Sequence, residues 1–502
     1  MTEQNEYFPA NMSPQWRASV EALVDFFHFS APENRPWYCP IAGGSSQSLN
    51  LLLRSLSHTH EPDEEGGGIP EQQYNIILTR GSHISVYNAL LTTPLRPYYT
   101  LPGSHTLTNL PLPDSVESVA KAVKKVWQEN KIVNFLLLMG TTYDGFLINL
   151  EPIRKWMQTD EFREKNKGLA PPIFLDLAWS AKSIAMKVCE GAFTKQMQHC
   201  DGWLTSIHKT LPSSFTSSIL VFHHKYARGI AKDFFTRFNS SLNATWQRSC
   251  STSFRPWMFQ ELGMLGYAFN PKSTWRKLWE ADLVRIKEFQ EILKRGFETF
   301  GDAVVLLCDE HIQQYPSISA MCPWRINIYF DAENLGFSGI EFASRLEQAG
   351  IVVVEKATQF TVLALPPIGF SRTFSEIADL EVFAQQWNDV LKDLSHLEPT
   401  ELQFVPTATP APIIAKVPSE AFKDARMMIS LEDSLGRTAG NAIAPYPPGV
   451  PIIASGEIIS PAHVAAIKSA VSNHILFKTK LYFPADALVF SGVDDIKVEV
   501  LI

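Results

Sequence analysis

The 502-residue sequence predicts an α/β protein in which a large domain with a mainly parallel sheet is followed by smaller α+β units at the C-terminal side. Three observations predict it. Strand-like apolar runs alternate with helical spacings between residues 74 and 177, which is how a parallel sheet covered on both faces is built. Past residue 300 the rhythm changes to short runs, VVLLC, INIYF, IVVVE and FTVLAL, interleaved with fewer helices. Finally, 45% hydrophobic and 19% charged residues are an ordinary globular balance, and the length is about three times a typical domain of roughly 150 residues.

Taken in order, Trp16, Val20, Leu23, Val24 and Phe27 follow a cap at Ser13 and predict a helix over 14–30, within an N-terminal arm of residues 1–40. A large domain spans 41–300. Within it, SHTHEPDEEGGGIP (57–70) is an exposed loop. Strands are expected at Tyr74–Thr79, Ile132–Met139 and Ile173–Leu177, with helices at 115–129 and 150–165. Further apolar segments surround Trp203 and run from Ile219 to Phe222, and an amphipathic helix of 275–299 bridges toward the next unit. A small α+β domain of 301–404 carries helices at 338–349 and 374–393. The proline-rich stretch 405–418 opens a C-terminal domain of 405–502 as a linker or boundary crossing.

Lys plus Arg number 44 and Asp plus Glu 52, for a net charge of −8 that argues against nucleic acid or an anionic membrane as the main partner. The longest apolar runs fall far short of the roughly 18 residues of a membrane span. No signal peptide is read at the start, and six cysteines without a CxxC pair fit reduced thiols, so a soluble, cytoplasmic protein without structural zinc is expected. The cluster His58, His60, Glu61, Asp63 and Glu64 lacks regular metal-ligand spacing and reads as a solvated loop, and no metal site is expected.

Four stretches could carry chemistry. WLTSIHKTLP (203–212) delivers a hydroxyl, an imidazole and an amine to a turn, where Lys209, desolvated and lowered in pKa, would suit a Schiff-base nucleophile. An exposed lysine after a strand reads the same. IFLDLAW (173–179) ends a strand on Asp176, either a partner for a protonated pyridine nitrogen or a helix cap or arginine partner. Asp176 and Lys209 lie 33 residues apart, enough for two strand ends and a crossover. GGSSQS (43–48) opens a helix whose free N–H groups could bind phosphate or simply be capped. His83, after the strand ending at Thr79, could stack on a flat cofactor or be a loop residue.

These stretches, in this order, resemble the bacterial-type ornithine/lysine/arginine decarboxylases, which are pyridoxal-phosphate enzymes of fold type I with an aspartate-aminotransferase-like large domain. The resemblance is carried by SIHKTLP, DLAW, RGSHIS (80–85), TTYDG (141–145), FSGIEFASRLEQAGIVVVEKA (337–357) and GRTAGNAIAPYPPGVPIIASGE (436–457). It implies pyridoxal 5'-phosphate as cofactor. Lys209 would be the Schiff-base lysine, Asp176 would pair with the pyridine nitrogen, and His83 would stack on the ring. Ser46, Gln47, Ser206 and His208 would surround the phosphate, Ala178 and Trp179 would line the ring, and His83 or His208 would return a proton to Cα. It further implies a homodimer or higher homo-oligomer and decarboxylation of a basic L-amino acid to its amine and carbon dioxide.

The chain departs from the family in having no P-G-H-K segment, no wing domain, His83-Ile84-Ser85 for the usual H-K-S, and PSSFTSS after H-K-x-L. An oxidase, aminotransferase or cyclase acting on an arginine-like amino acid, or a catalytically silent binding subunit, stays open beside the decarboxylase. Glu355 and Glu457 are candidate acidic partners for a basic side chain, or else surface carboxylates or arginine partners. Arg325 and Arg437 could bind a carboxylate or form structural ion pairs.

Overall fold

The computed structural model describes residue 14 and residues 37–57, 74–223, 256–269, 272–351, 353–397, 410–446, 449–477, 480–482, 488–490 and 495–502. The expected helix at 14–30 beyond its first residue, the loop bearing His58 to Glu64, and residues 405–409 of the expected linker lie outside the described residues.

The N-terminal half supplies β1 (Trp37–Ala42), β2 (Tyr74–Thr79), β3 (Leu95–Thr100), β4 (Phe135–Met139), β5 (Phe146–Ile148), β6 (Ile173–Asp176), β7 (Gly202–Ser206) and β8 (Ser217–Phe222). Among the described residues, seven of them form one sheet in the order β1-β8-β7-β6-β4-β2-β3. The pairs β2–β3, β2–β4, β4–β6 and β6–β7 are parallel, and only β8 runs against its two neighbours. The carboxyl ends of β1, β2, β4, β6 and β7 therefore share one edge, where open α/β sheets keep their ligands.

Helices cover both faces for reasons of spacing. Leu49, Leu52, Leu53 and Leu56 stand at i, i+3, i+4 and i+7 of the helix Gly44–Ser57, all buried. On the helix Val116–Gln128, Val119, Ala122, Val123 and Val126 do the same behind a Ser115–Ser118 capping box. The single helix expected over 150–165 is instead two, Glu151–Met157 and Asp160–Lys165. Thr159 starts the second one, its hydroxyl accepting the Phe162 N–H at 3.3 Å while Phe162 is fully buried.

Beyond residue 300, β9 (Val304–Leu306), β11 (Ile326–Phe330), β12 (Val354–Ala357) and β13 (Thr361–Ala364) form an antiparallel sheet in the order β12-β13-β11-β9. The run IVVVE enters its strand three residues late because the Ile351 N–H is still bonded to Leu346 of the preceding helix at 2.9 Å. An unanticipated strand, β10 (Ile318–Met321), pairs with β5 and ties the two halves together. The C-terminal unit holds β14 (Arg426–Ser430), β15 (Ala444–Tyr446), β16 (Lys480–Tyr482), β17 (Leu488–Phe490) and β18 (Ile496–Leu501). Its core gathers Leu431, Ile443, Ile453, Ile467, Val471 and Val498. No helix among the described residues is long and apolar enough to cross a membrane.

Candidate active site

Every stretch singled out in the sequence for its chemistry ends at the carboxyl edge of the main sheet. β1 passes into Gly43 and Gly44, both at positive φ, and the helix Gly44–Ser57 starts at once. A β-carbon on Gly44 would lie 2.7 Å from Cε1 of His208, so only glycine lets the helix start meet the turn after β7. There the Ser45 N–H donates to the Ser206 hydroxyl at 3.0 Å, and Nδ1 of His208 accepts the Ser217 N–H at 3.2 Å. Ser46 is exposed and Gln47 half-buried on the same first turn. A positive helix end, small residues and two polar side chains from the neighbouring turn form an anion cradle. The sequence reading missed Ser45, whose role shows only when its partner 161 residues away is in place.

Next to the cradle, Lys209 lies half-buried with Nζ 5.4 Å from the centre of the Trp179 ring. Burial lowers its pKa against the pull of Asp176 and Glu355. Asp176, at the end of β6, has the opposite problem: burial raises its pKa while Lys209 and the Ala178 N–H, bonded to Oδ1 at 2.9 Å, draw it down. His83 caps the helix Ile84–Leu90, with Nδ1 accepting the Ser85 N–H at 3.2 Å. Burial, then the charge of Lys209, lower its pKa to about 4. The ring is therefore neutral near pH 7, which suits a stacking surface better than a store of protons.

The opposite wall comes from the second sheet. Glu355 accepts a hydrogen bond from the Tyr143 hydroxyl, and the next residue, Lys356, is ion-paired with Asp144. Tyr143 stands edge-on to Trp179 with centroids 5.3 Å apart. Two consecutive residues of β12 thus grip two consecutive residues of the TTYDG turn.

Three candidates left open in the sequence between ligand contact and a structural partner have structural partners. Glu457 is buried against Arg80 at 3.0 Å, because a carboxylate 1% exposed needs a cation and Arg80 is the one beside it. Arg325 donates to the carbonyl oxygens of Thr142 at 2.9 Å and Trp179 at 3.2 Å, so it fastens the two turns to each other. Arg437 donates to the Leu501 carbonyl within the C-terminal unit. Tyr446 and Gly449, not singled out in the sequence, close the His83 side: the Tyr446 ring lies 6.5 Å from His83. Gly449 has φ +80° and room for no more, since its β-carbon would come within 3.0 Å of the imidazole. Gly449→Ala should therefore cost roughly 1–2 kcal/mol, the usual penalty of a left-handed L-residue, read as a lower denaturant midpoint at unchanged slope.

A mainly parallel sheet with one reversed strand, and a lysine, a carboxylate and a helix N-terminus gathered at its carboxyl edge, is the fold of the type I pyridoxal-phosphate enzymes. Residues 401–471 match the family of the Orn/Lys/Arg decarboxylase C-terminal domain. An arginine decarboxylase of Halalkalibacterium halodurans is 24% identical over 412 residues, covering 78% of this chain and 72% of that protein. The structure of the E. coli constitutive lysine decarboxylase superimposes with TM-score 0.63 at 16% identity, over 97% of this chain and 72% of the other. Lysine decarboxylase A from Pseudomonas aeruginosa gives TM-score 0.65 at 15% identity, over 97% and 71%. By these likenesses the chain is similar to decarboxylases of basic amino acids, over its C-terminal region in the family match and over most of its length in the sequence and fold comparisons.

Proposed function

We propose that the protein is a pyridoxal-phosphate-dependent decarboxylase of a basic L-amino acid, arginine, ornithine or lysine. The observation that carries this reading is the meeting, at one sheet edge, of a desolvated amine at Lys209, a buried carboxylate at Asp176 and the cradle between Gly44 and His208. The donor set fits the cofactor. The phosphate suits the helix end with Ser45, Ser46, Ser206 and His208 around it, the pyridine nitrogen suits Asp176, the ring suits His83 and Trp179, and the aldehyde suits Lys209.

When bound, pyridoxal phosphate supplies an electron-accepting ring that takes up the charge left as a bond at the substrate Cα breaks. Asp176 does its work by keeping a proton on the ring nitrogen, since a carboxylate deprived of water gains most from an adjacent cation. Lys209, with its pKa lowered by burial, has a larger neutral fraction than a surface lysine and is ready as a nucleophile. Trp179, Tyr143 and Tyr446 crowd the space outside it and restrict water and orientation. Glu355 faces the same amine and, among the described residues, its one hydrogen bond is from the Tyr143 hydroxyl, which leaves carboxylate capacity for a cationic side chain.

Glu355→Gln should raise KM for the basic amino acid by roughly ten- to a hundredfold, the worth of a hydrogen bond to a charged group at about 1.5–3 kcal/mol. The effect on kcat should be smaller. The deciding experiment incubates the cofactor-loaded protein separately with arginine, ornithine and lysine, and follows carbon dioxide, oxygen and product masses together. Carbon dioxide with the matching amine and no oxygen uptake supports the reading. A product that keeps its carboxylate moves the assignment to an oxidase, aminotransferase or cyclase, and no reaction with intact cofactor binding moves it to a silent binding subunit. The reading includes a cytoplasmic homodimer or higher homo-oligomer, on the strength of the family resemblance, and sedimentation of the loaded protein tests the assembly.

A further inference from the structure

Residues 444–446 and 449–457 of the C-terminal unit meet the turn that carries His83 at two places. On the near side, the Ile84 N–H donates to the Gly449 carbonyl at 2.7 Å, and Ile84 packs with Ala442 and Ala444. Gly449 and Tyr446 border the imidazole itself. On the far side, Arg80, three residues before His83, donates through one terminal nitrogen to Glu457 Oε2 at 3.0 Å and to the Ile452 carbonyl at 2.9 Å. Its other terminal nitrogen donates to the Tyr87 hydroxyl at 3.0 Å, and that hydroxyl donates back to the Arg80 carbonyl at 2.7 Å. Arg80 is also stacked near Tyr87 and Tyr99. Glu457 takes a further bond from the Ala454 N–H at 3.0 Å.

Arg80 and Glu457 are each 1% exposed and stand 377 residues apart in the chain. Two charges so deep recover little of their desolvation, and an apolar pair of similar volume commonly serves stability as well or better. The hydrogen-bond network is moreover incomplete: Arg80 Nε and Glu457 Oε1 have no hydrogen-bond partner among the described residues. What the pair does supply is direction, because a guanidinium held at both terminal nitrogens fixes the backbone that bears it. We propose that Glu457 is a positioning residue for His83, acting through Arg80 to hold the turn 80–84, so that the C-terminal unit sets the face the imidazole turns toward Lys209. This rests on the reading that His83 flanks the pyridoxal phosphate ring.

The test is a mutant cycle on the full chain, with pyridoxal phosphate affinity, thermal unfolding and amide exchange over 80–90 measured together. His83→Ala should weaken binding about two- to tenfold, the worth of one ring stack. Arg80→Met with Glu457→Leu should melt near the wild type yet lose a similar factor, with faster exchange over 80–90. Adding His83→Ala to that pair should then cost nothing further, a coupling that a merely structural role does not produce. Wild-type binding by the paired variant, or fully multiplied losses in the triple variant, overturns the proposal while the cofactor reading stands. If His83→Ala leaves binding unchanged, the stacking reading falls and the proposal with it. Should the paired variant not fold, Glu457→Gln enters the same cycle with the same outcomes.

Discussion

Lys209→Ala should leave the chain folded and abolish covalent capture of pyridoxal phosphate. The residue sits in a turn after β7 and is half-buried, so truncation opens no core cavity. Two other buried lysines among the described residues are engaged elsewhere: Lys356 is committed to Asp144, and Lys182 lies against the Trp324 ring at 3.7 Å. Borohydride reduction of the loaded wild type should place the cofactor mass on the peptide containing Lys209, and the variant should show none. Carbon dioxide release should fall on the order of 10²–10⁴-fold, the usual contribution of one positioned proton-transfer group. Lys209→Arg is the control. It keeps a cation beside Asp176 and Glu355, but a guanidinium cannot lose its proton or act as the amine nucleophile. If Arg retains the fold and still gives no adduct, charge is separated from nucleophilicity. Turnover near the wild-type rate in either variant would refute the assignment.

The pH course of capture follows from the same surroundings. Burial lowers the Lys209 pKa, so the neutral amine appears below the range of about 10.4 for a free lysine. The rate of adduct formation should rise with pH and level off below that range.

How far the site could be read from the sequence depends on how local each signal is. Lys209, Asp176 and the Gly43-Gly44 turn each follow an apolar strand by a few residues, and the strand-helix alternation alone brings such strand ends to one edge. Glu355 was visible as a candidate because its segment is distinctive, yet its meeting with Tyr143 is 212 residues long-range and leaves no periodic trace. For Glu457 the sequence leaves a substrate partner and an arginine partner both open, and the structure pairs it with Arg80, since nothing local distinguishes a carboxylate awaiting a ligand from one already paired. The pairing of β10 with β5 was equally invisible: Ile318–Met321 is four half-buried residues whose partner lies about 170 positions earlier. The break at Thr159 was the opposite case. A Thr-Asp pair inside a helical spacing is a local start signal, and the apolar period running through it concealed the new cap.

Asp176→Asn separates binding of the amine from stabilisation of charge, because its two expected effects have opposite senses. The amide keeps the size of the side chain and an oxygen for the Ala178 N–H now bonded at 2.9 Å. It removes the negative charge that raises the Lys209 pKa. Lys209 should then lose its proton more readily, and the pH at which cofactor capture is half-maximal should move down. Turnover should nonetheless drop about 10²–10⁴-fold, since a neutral amide cannot hold a proton on the ring nitrogen as a buried carboxylate does. Asp176→Glu keeps the charge and displaces it by one methylene, so it should restore the capture pH while recovering only part of the turnover. A capture curve that moves up in Asp176→Asn would mean that Asp176 does not act on Lys209 by charge. A capture curve that moves down with turnover unchanged would leave Asp176 as an electrostatic neighbour of the lysine and take the ring nitrogen away from it.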